Sequence, residues 1–268
     1  MDVSDRIVAD LKEAGVAFVT TVPCKQLAGV IEGLEADPDI LHVPSNKEDE
    51  GMGLCAGAWM GGKRPCIVMQ NTALGVTVNT LATLIQFYRI PLPMLISYRG
   101  EIGERVACQV EMAVHTKAIL DQLNIQTYHL HRPEDVEELA DPEPHVHVAQ
   151  ADGDPDGLAL LGGLLMIRSE ILKALAPVLR DELVVCNIGL PSQEMHMIDD
   201  QPSTFYMLGT MGLSSSIGLG LALSQKARVV AIDGDGSVLT NLGTLPTIAN
   251  NRADNFVLFI VDNGSYGS

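Results

Sequence analysis

Short, almost uninterrupted apolar runs alternate with longer helical segments along this chain, and this alternation constrains the fold more than any other feature. Runs of strand length include FVTTV, CIVM, RVVAI and FVLFIV. Apolar residues at consecutive strand positions indicate burial on both faces, which is typical of a parallel sheet covered by helices. The sequence therefore predicts an α/β protein with parallel sheets and helices on both sides.

One segment divides the alternation into two series. Residues 140–163 are rich in Pro, Asp and Gly and have no sustained hydrophobic period, which is typical of a linker. We therefore predict a first domain over residues 1–140, an acidic linker over residues 141–163 and a second domain over residues 164–268.

Several element boundaries follow from the same patterns. The first fifteen residues predict an amphipathic helix rather than a signal peptide. In the first half we expect a helix over residues 113–123 followed by a strand over residues 125–130. In the second half we expect a helix near residues 239–250.

Composition excludes two classes of partner. The net charge of −17 argues against nucleic acid, whose phosphates require Lys and Arg. The apolar runs are too short for a membrane span.

The five cysteines are scattered without a C-x-x-C motif, which predicts reduced thiols and a cytoplasmic location.

The stretch Asp233-Gly234-Asp235-Gly236-Ser237 directly follows an apolar run. Carboxylates on a glycine turn at the end of a parallel strand lie where such sheets bind ligands, and they suit Mg²⁺ beside phosphates. A plain polar turn is one alternative. A calcium loop fails, because its twelfth position is Thr244 instead of Glu. A phosphatase site would need a later Lys and further acidic residues, for which the chain ends too soon.

A thiamine diphosphate site is the fourth interpretation, and it requires an Asn fewer than thirty residues after the Asp. Asn263 follows Asp235 at that distance, directly after the apolar run FVLFIV, and the next residues offer a backbone carbonyl near Ser265. With these motifs the chain resembles the thiamine-diphosphate-dependent 2-oxoacid decarboxylases, and within them the sulfopyruvate and phosphonopyruvate decarboxylase branch.

The resemblance covers almost the whole chain and implies two domains of the thiamine-diphosphate-binding fold, pyrimidine-binding and then diphosphate-binding. It implies thiamine diphosphate and Mg²⁺ as cofactors. The implied metal ligands are Asp235, Asn263 and Ser265, and the implied diphosphate-binding residues also include Gly234, Gly236 and Ser237. Because diphosphate domains of the family continue further, we expect this domain to be truncated at its C-terminus.

Two further motifs carry the resemblance. In NKEDEGMGLCAGAW, Glu48 precedes Gly57 by nine positions, and the resemblance implies that Glu48 hydrogen-bonds N1′ of the aminopyrimidine. Glu50 is the rival position, and a solvated acidic helix start is the structural alternative. In LGTMGLSSSIG, the resemblance implies that Met211 lies between the two cofactor rings and that the Gly209 carbonyl accepts from the 4′-amino group. The structural alternative for Met211 is core packing.

Polar residues at other strand ends are candidates for the substrate. Lys25, Asn71, Thr72 and Arg99 are predicted to bind the anionic tail of the substrate, and for the two cations a surface role is the alternative. The resemblance implies decarboxylation of 3-sulfopyruvate to sulfoacetaldehyde and carbon dioxide, a reaction of coenzyme M biosynthesis.

The alternatives to this function are phosphonopyruvate decarboxylation, a related carboligase and a non-catalytic cofactor-binding module. The resemblance also implies a homodimer or homotetramer with active sites between chains.

Overall fold

The computed structural model describes residues 3–101, 103–128 and 168–262. The first part contains α1 (Val3–Glu13), β1 (Phe18–Thr21), α2 (Ala28–Ala36), β2 (Leu41–Pro44), α3 (Glu48–Met60), β3 (Pro65–Gln70), α4 (Leu74–Thr80), a π-helical turn (Leu81–Gln86), β4 (Met94–Ser97) and α5 (Ala107–Gln122). The second part contains α6 (Arg168–Leu175), β5 (Leu183–Cys186), α7 (Leu190–Ile198), β6 (Thr204–Tyr206), α8 (Ser214–Ser224), β7 (Val229–Gly234), α9 (Asp235–Thr240), α10 (Thr244–Asn251) and β8 (Phe256–Val261).

Each part forms one four-stranded parallel sheet, and the two sheets have the same topology. The strand order is β2-β1-β3-β4 in the first and β6-β5-β7-β8 in the second. The predicted α/β class is confirmed. In each sheet the order reverses between two central strands, β1 and β3 or β5 and β7. Ligands of open parallel sheets bind outside the carboxyl ends of the strands at such points.

Helix α3 lies at the centre of the molecule and is buried from Gly51 to Ala58. It packs against β1 and β3 on one side and against α8 on the other. One apolar core cluster therefore runs through both parts, joining residues such as Phe18 and Leu54 to Ile217 and Leu219, and each part also has a buried cluster of its own. Burial on all sides explains why α3 has no polar face beyond its first turn.

The contact between α3 and α8 is made by small residues. A Cβ added to Gly53 would overlap Ser216 Oγ, and one added to Gly57 would overlap the carbonyl oxygen of Ile217. A Cβ on Gly220 of α8 would likewise overlap a backbone carbonyl of α3. The two helix backbones are therefore in direct contact, which residues with side chains at these positions would prevent.

Three expectations for individual elements need correction. Helix α5 begins at Ala107, six residues before the predicted start. Residues 125–128 form no strand, and the rest of that predicted strand lies outside the described residues. The predicted helix near 239–250 is divided between α9 and α10. Helix α7 was not predicted at all, because its nine residues carry no clear hydrophobic period.

Predictions about the whole chain extend beyond the residues that the structure describes. The linker over residues 141–163 lies outside the described residues, so the domain boundaries stay a prediction. Within the described part, no helix is long and apolar enough to cross a membrane. All five cysteines are unpaired thiols, and four of them are buried.

Candidate cofactor site

Asp233 anchors the end of β7 to the start of α8. Its carboxyl group is buried and accepts a 2.5 Å hydrogen bond from Ser214 Oγ and a 2.9 Å bond from the Gly234 backbone N–H. Burial raises the pKa of Asp233, and the hydrogen bonds from Ser214, Ser237 and Gly234 act in the opposite direction. We assign Asp233 a structural role in shaping this turn.

The turn beyond Asp233 opens onto free space. Gly234 ends β7, and a Cβ added there would meet no atom within 4 Å. The same holds for Gly189, which follows β5 and has φ +77°. The two glycines flank the point where the strand order reverses. This space lets a phosphate approach the backbone closely, so the residues present fit a diphosphate group.

The predicted metal ligands are only partly described. Asp235 is half-buried and begins α9 directly after Gly234, so its carboxylate lies at the carboxyl edge of the sheet. Asn263 and Ser265 lie outside the described residues. No group of three His, Cys, Asp or Glu residues suited to a metal occurs in the described ranges. An Asp–Asn–carbonyl set would not form such a group, and the three ligands stay a prediction.

The loop over residues 207–213 is fixed to this turn. The Gly212 backbone N–H donates a 3.0 Å hydrogen bond to Ser237 Oγ. Gly212 has φ +88°, and a Cβ there would overlap Thr240 Oγ1, so only glycine fits. Thr210 also has a positive φ, of 60°. Met211 stands between these two residues with 38% of its surface exposed.

Gly209 brings the same loop against the first part of the chain. A Cβ on Gly209 would lie 2.7 Å from Thr83 in the π-helical turn. The Gly209 carbonyl accepts a 2.6 Å hydrogen bond from Thr210 Oγ1. Its oxygen has a second lone pair, which can accept a hydrogen bond from a further donor. The predicted roles of Gly209 and Met211 toward the cofactor stay predictions.

Two glutamates lie in the first turn of α3. Glu48 is the first helical residue and is only 7% exposed. Burial is the largest cause that raises its pKa. Glu50 is fully buried, and burial raises its pKa too. A carboxyl group with a raised pKa holds its proton nearer neutral pH, which suits an acid that exchanges a proton with a ligand.

The four predicted substrate residues lie at the carboxyl edge of the first sheet, and two of them are in contact. The Asn71 side chain is buried, accepts from the Arg99 backbone N–H at 2.8 Å and donates to the Arg99 carbonyl at 3.0 Å. The Arg99 guanidinium forms two hydrogen bonds, of 2.8 and 2.9 Å, to the Glu104 carboxylate. This pairing, with backbone N–H groups, lowers the pKa of Glu104 to about 2.

Lys25 and Thr72 stand at the neighbouring strand ends. Lys25 follows β1 and is exposed, and Thr72 follows β3 and is half-buried. Beside them, Cys24 Sγ lies 2.9 Å from Ser97 Oγ at the end of β4. The structure thus gathers the four candidates along three adjacent strand ends, and their role toward a substrate stays a prediction.

Asn46 is a residue that the sequence patterns missed. It lies between β2 and α3, and its Nδ2 donates to the Gly243 carbonyl at 2.6 Å and to Thr247 Oγ1 at 2.8 Å. Its partners are 197 and 201 positions away. A polar residue just before an acidic helix start was the available signal, but no local pattern identifies so distant a partner.

Comparison with known proteins identifies the family. Residues 188–268 match the family model of the thiamine pyrophosphate enzymes' C-terminal TPP-binding domain. A sulfopyruvate decarboxylase of Methanosarcina acetivorans is 32% identical over 297 residues, covering 98% of this chain and 76% of that protein. The chain belongs to the thiamine-diphosphate-dependent 2-oxoacid decarboxylases. A phosphonopyruvate decarboxylase of Streptomyces viridochromogenes is 31% identical over 98% of this chain and 74% of its own length.

A solved structure supports the fold of this decarboxylase. The thiamine diphosphate-dependent 4-hydroxybenzoylformate decarboxylase of Rhodococcus jostii RHA1 superposes with a TM-score of 0.68 at 11% identity, over all of this chain and 87% of that one. The matched domain and the two relatives confirm the family expected from the sequence motifs, together with the decarboxylase class and a thiamine diphosphate-binding domain.

Proposed function

We propose that this decarboxylase converts 3-sulfopyruvate to sulfoacetaldehyde and carbon dioxide with thiamine diphosphate and Mg²⁺. The observation that carries the proposal is the similarity to a sulfopyruvate decarboxylase over 98% of the chain. Thiamine diphosphate supplies the group that accepts the electrons of the broken carbon–carbon bond. The protein binds and orients that cofactor, holds a proton and excludes water.

The second sheet would bind the diphosphate end of the cofactor. The open space beside Gly234 and Gly189 supports this, because a phosphate can approach both backbones. We propose Asp235 as one Mg²⁺ ligand, with Asn263 and the carbonyl near Ser265 as the others, since Mg²⁺ prefers oxygen ligands. Ser237 and Gly236 would line the same turn.

Glu48 would bind the aminopyrimidine end of the cofactor. Its burial and its raised pKa support a carboxyl group that donates a hydrogen bond to N1′ of the pyrimidine. The 207–213 loop would support the cofactor from the other half, with Met211 between the rings. Contact between Gly209 and Thr83 supports this arrangement, because it brings the loop against the part of the chain that carries Glu48.

The charge at the first sheet's edge favours a sulfonate tail. Arg99 is paired with Glu104, so the pair adds no net charge. Lys25 adds one positive charge near the same edge. A sulfonate carries one negative charge, whereas a phosphonate carries up to two, as a phosphoryl group does. Asn71 and Thr72 would complete the site, Asn71 by holding the Arg99 backbone in place.

Phosphonopyruvate is the second candidate substrate, and a relative of equal coverage favours it. The test compares the two acids directly. Each is supplied with thiamine diphosphate and Mg²⁺, and carbon dioxide release is measured. We expect kcat/KM to be higher for 3-sulfopyruvate by about tenfold, which corresponds to about 1.4 kcal/mol. A preference for phosphonopyruvate would assign the alternative. Cofactor binding without release from either acid would favour a carboligase or a non-catalytic module.

We also propose that residues 1–140 form the pyrimidine-binding domain and residues 164–268 the diphosphate-binding domain, joined by the linker over residues 141–163. Two observations support this. Each part has its own sheet with the same strand order. The matched TPP-binding model covers residues 188–268, entirely within the second part.

A homodimer or homotetramer is proposed as the assembly. The expectation of active sites between chains is not part of this proposal, because Gly209 of the 207–213 loop already lies against Thr83 within one chain. The support for the assembly is a set of exposed apolar side chains around the 207–213 loop and α9–α10, namely Leu208, Met211, Leu239, Leu242 and Leu245. Light scattering of the purified protein measures the assembly directly.

A cytoplasmic location is proposed as well, because the five unpaired cysteines suit a reducing compartment.

A further inference from the structure

The start of α3 is joined to α10 by hydrogen bonds that cross between the two parts of the chain. Asn46 Nδ2 donates to the Gly243 carbonyl at 2.6 Å and to Thr247 Oγ1 at 2.8 Å. The Asn46 backbone N–H donates to Glu50 Oε2 at 3.1 Å. We call this set, together with Thr244, the α3–α10 contact.

Glu50 lies at the centre of the α3–α10 contact. It has no solvent exposure, and a Cβ on Gly243 would lie 3.7 Å from its Oε2. Its Oε1 is buried and has no hydrogen-bond partner among the described residues, and the same holds for Oγ1 of Thr244, the residue that follows Gly243. Unsatisfied buried polar atoms are costly, so these two atoms need an account other than stability.

The α3–α10 contact continues to the loop that carries Met211. Asn241, just before α10, donates from Nδ2 to the Gly212 carbonyl at 3.4 Å. Thr240 Oγ1 approaches the Met211 carbonyl at 3.5 Å. The helix start that carries Glu48 is thus connected through α10 to the loop predicted to support the cofactor rings.

A helix cap is the simpler account of Glu50. A Glu in the first helical turn often accepts from a backbone N–H just before the helix, as Glu50 does from Asn46. Such caps normally face water, whereas Glu50 is covered by α10. Burial raises its pKa, which is a cost that a cap alone does not require.

We infer that Glu50 is a positioning residue that holds Glu48 in register with the 207–213 loop through the α3–α10 contact. This inference rests on the proposed function. It assigns different roles to the two glutamates, since Glu48 would touch the cofactor and Glu50 would act only through Glu48. A small displacement of a catalytic group is known to cost about 10²-fold in rate, which sets the expected effect.

Four variants test the inference, and Glu48→Gln is measured beside them as the reference for loss of the proposed proton-exchanging acid. Glu50→Leu removes both oxygens at similar volume, and Glu50→Gln keeps an acceptor for Asn46. Thr247→Val removes the hydroxyl on the α10 side without changing Glu50. Glu32→Gln, at an exposed position of α2, is the matched control for lost charge.

We expect Glu50→Leu to lower kcat about 10²-fold, with the dissociation constant of thiamine diphosphate changed about threefold or less. Glu50→Gln should stay within about threefold of the wild-type kcat, because it is isosteric. Amide hydrogen exchange should become faster over residues 45–52 and also over residues 240–247 in Glu50→Leu and Thr247→Val. The Glu32→Gln control should change none of these.

Several results would overturn the inference. One is an unchanged kcat in Glu50→Leu. Another is a kcat in Glu50→Gln as low as in Glu48→Gln with cofactor binding intact, which would make Glu50 the proton-exchanging acid. Faster exchange confined to residues 45–52 would mean that Glu50 acts only as a helix cap.

If Glu50→Leu does not fold, Thr247→Val gives the same exchange test. If the wild-type protein decarboxylates neither acid, the proposed function fails, and the exchange rates still decide the α3–α10 contact.

Discussion

Gly57 of α3 lies so close to Ile217 of α8 that any Cβ on the glycine would overlap the Ile217 carbonyl oxygen. The two parts of the chain therefore meet backbone to backbone at the centre of the molecule. Because α3 carries Glu48 at its start and α8 follows the 207–213 loop, this contact sets the distance between the two halves of the candidate site.

Gly57→Ala should destabilise the protein strongly. The methyl group has no space, so the two helices must separate, and overpacking of this kind costs about 1–3 kcal/mol. Gly75→Ala is the matched control, since a Cβ at Gly75 of α4 meets nothing within 4 Å. That control should be neutral or stabilising by about 0.5 kcal/mol, because alanine favours a helix interior. Urea unfolding of both variants measures the difference, and equal stabilities would contradict the close contact.

The ion pair between Glu104 and Arg99 predicts a specific pH dependence. The pKa of Glu104 is about 2 in the folded protein, below its ordinary 4.5. A lowered folded pKa contributes stability that is complete above pH 4.5 and is lost as the pH falls toward 2. Glu104→Gln should therefore be less stable than wild type at pH 7, and the difference should shrink between pH 4.5 and pH 2.

Unfolding midpoints of both proteins at a series of pH values test this dependence. Glu101→Gln, at an exposed position of the same loop, is the control and should show no such convergence. A Glu104→Gln penalty that is constant down to pH 2 would mean that the carboxylate is not held ionised by Arg99.

Much of this fold could be predicted because its signals are local. The buried strands are apolar runs in the sequence, and β7 and β8 lie within two residues of the expected bounds. Helix α7 was not predicted because its sequence LPSQEMHMI shows no apolar period. Residues 125–128 look like a strand because they alternate polar and apolar side chains, yet in the structure they follow α5 without pairing to β4.

The candidate site was only half predictable for a related reason. The turn at Asp235 and the loop at Met211 are contiguous motifs, so their residues could be named in advance. The bond between Asn46 and Gly243 joins residues 197 positions apart, and its existence depends on how α3 packs against α8. Gly53 and Gly57, four positions apart in α3, allow a close backbone approach, but this spacing does not say which backbone approaches.

Ser214→Ala should test how the buried Asp233 carboxylate is held. The variant loses the 2.5 Å hydrogen bond from Ser214 Oγ, and a bond to a charged group contributes about 1.5–3 kcal/mol. Because this bond lowers the pKa of Asp233, its loss should cost more as the pH rises and Asp233 ionises.

Ser216→Ala in the same helical turn is the matched control. Among the described residues its hydroxyl donates only to the Leu213 carbonyl, so a loss of about 1 kcal/mol or less that does not vary with pH is expected. Thermal or urea unfolding at pH 5 and pH 8 separates the two variants. Equal and pH-independent losses would show that Ser214 does not stabilise the ionised form of Asp233.

Asp235→Ala should abolish the Mg²⁺-dependent part of thiamine diphosphate binding. Asp235 stands at the carboxyl end of β7 beside the open space at Gly234, where an Mg²⁺ ion would bridge the protein and the diphosphate. In calorimetric titration, we expect saturable binding to the wild-type protein with Mg²⁺ and none with EDTA.

Wild type at a ligand concentration of about 100 Kd should gain about 2.7 kcal/mol of stability, and Asp235→Ala should gain none. Asp254→Ala, an exposed position at the opposite end of β8, is the control and should bind like wild type. Tight binding to Asp235→Ala would remove Asp235 from the proposed site, and binding that ignores EDTA would remove the metal from it.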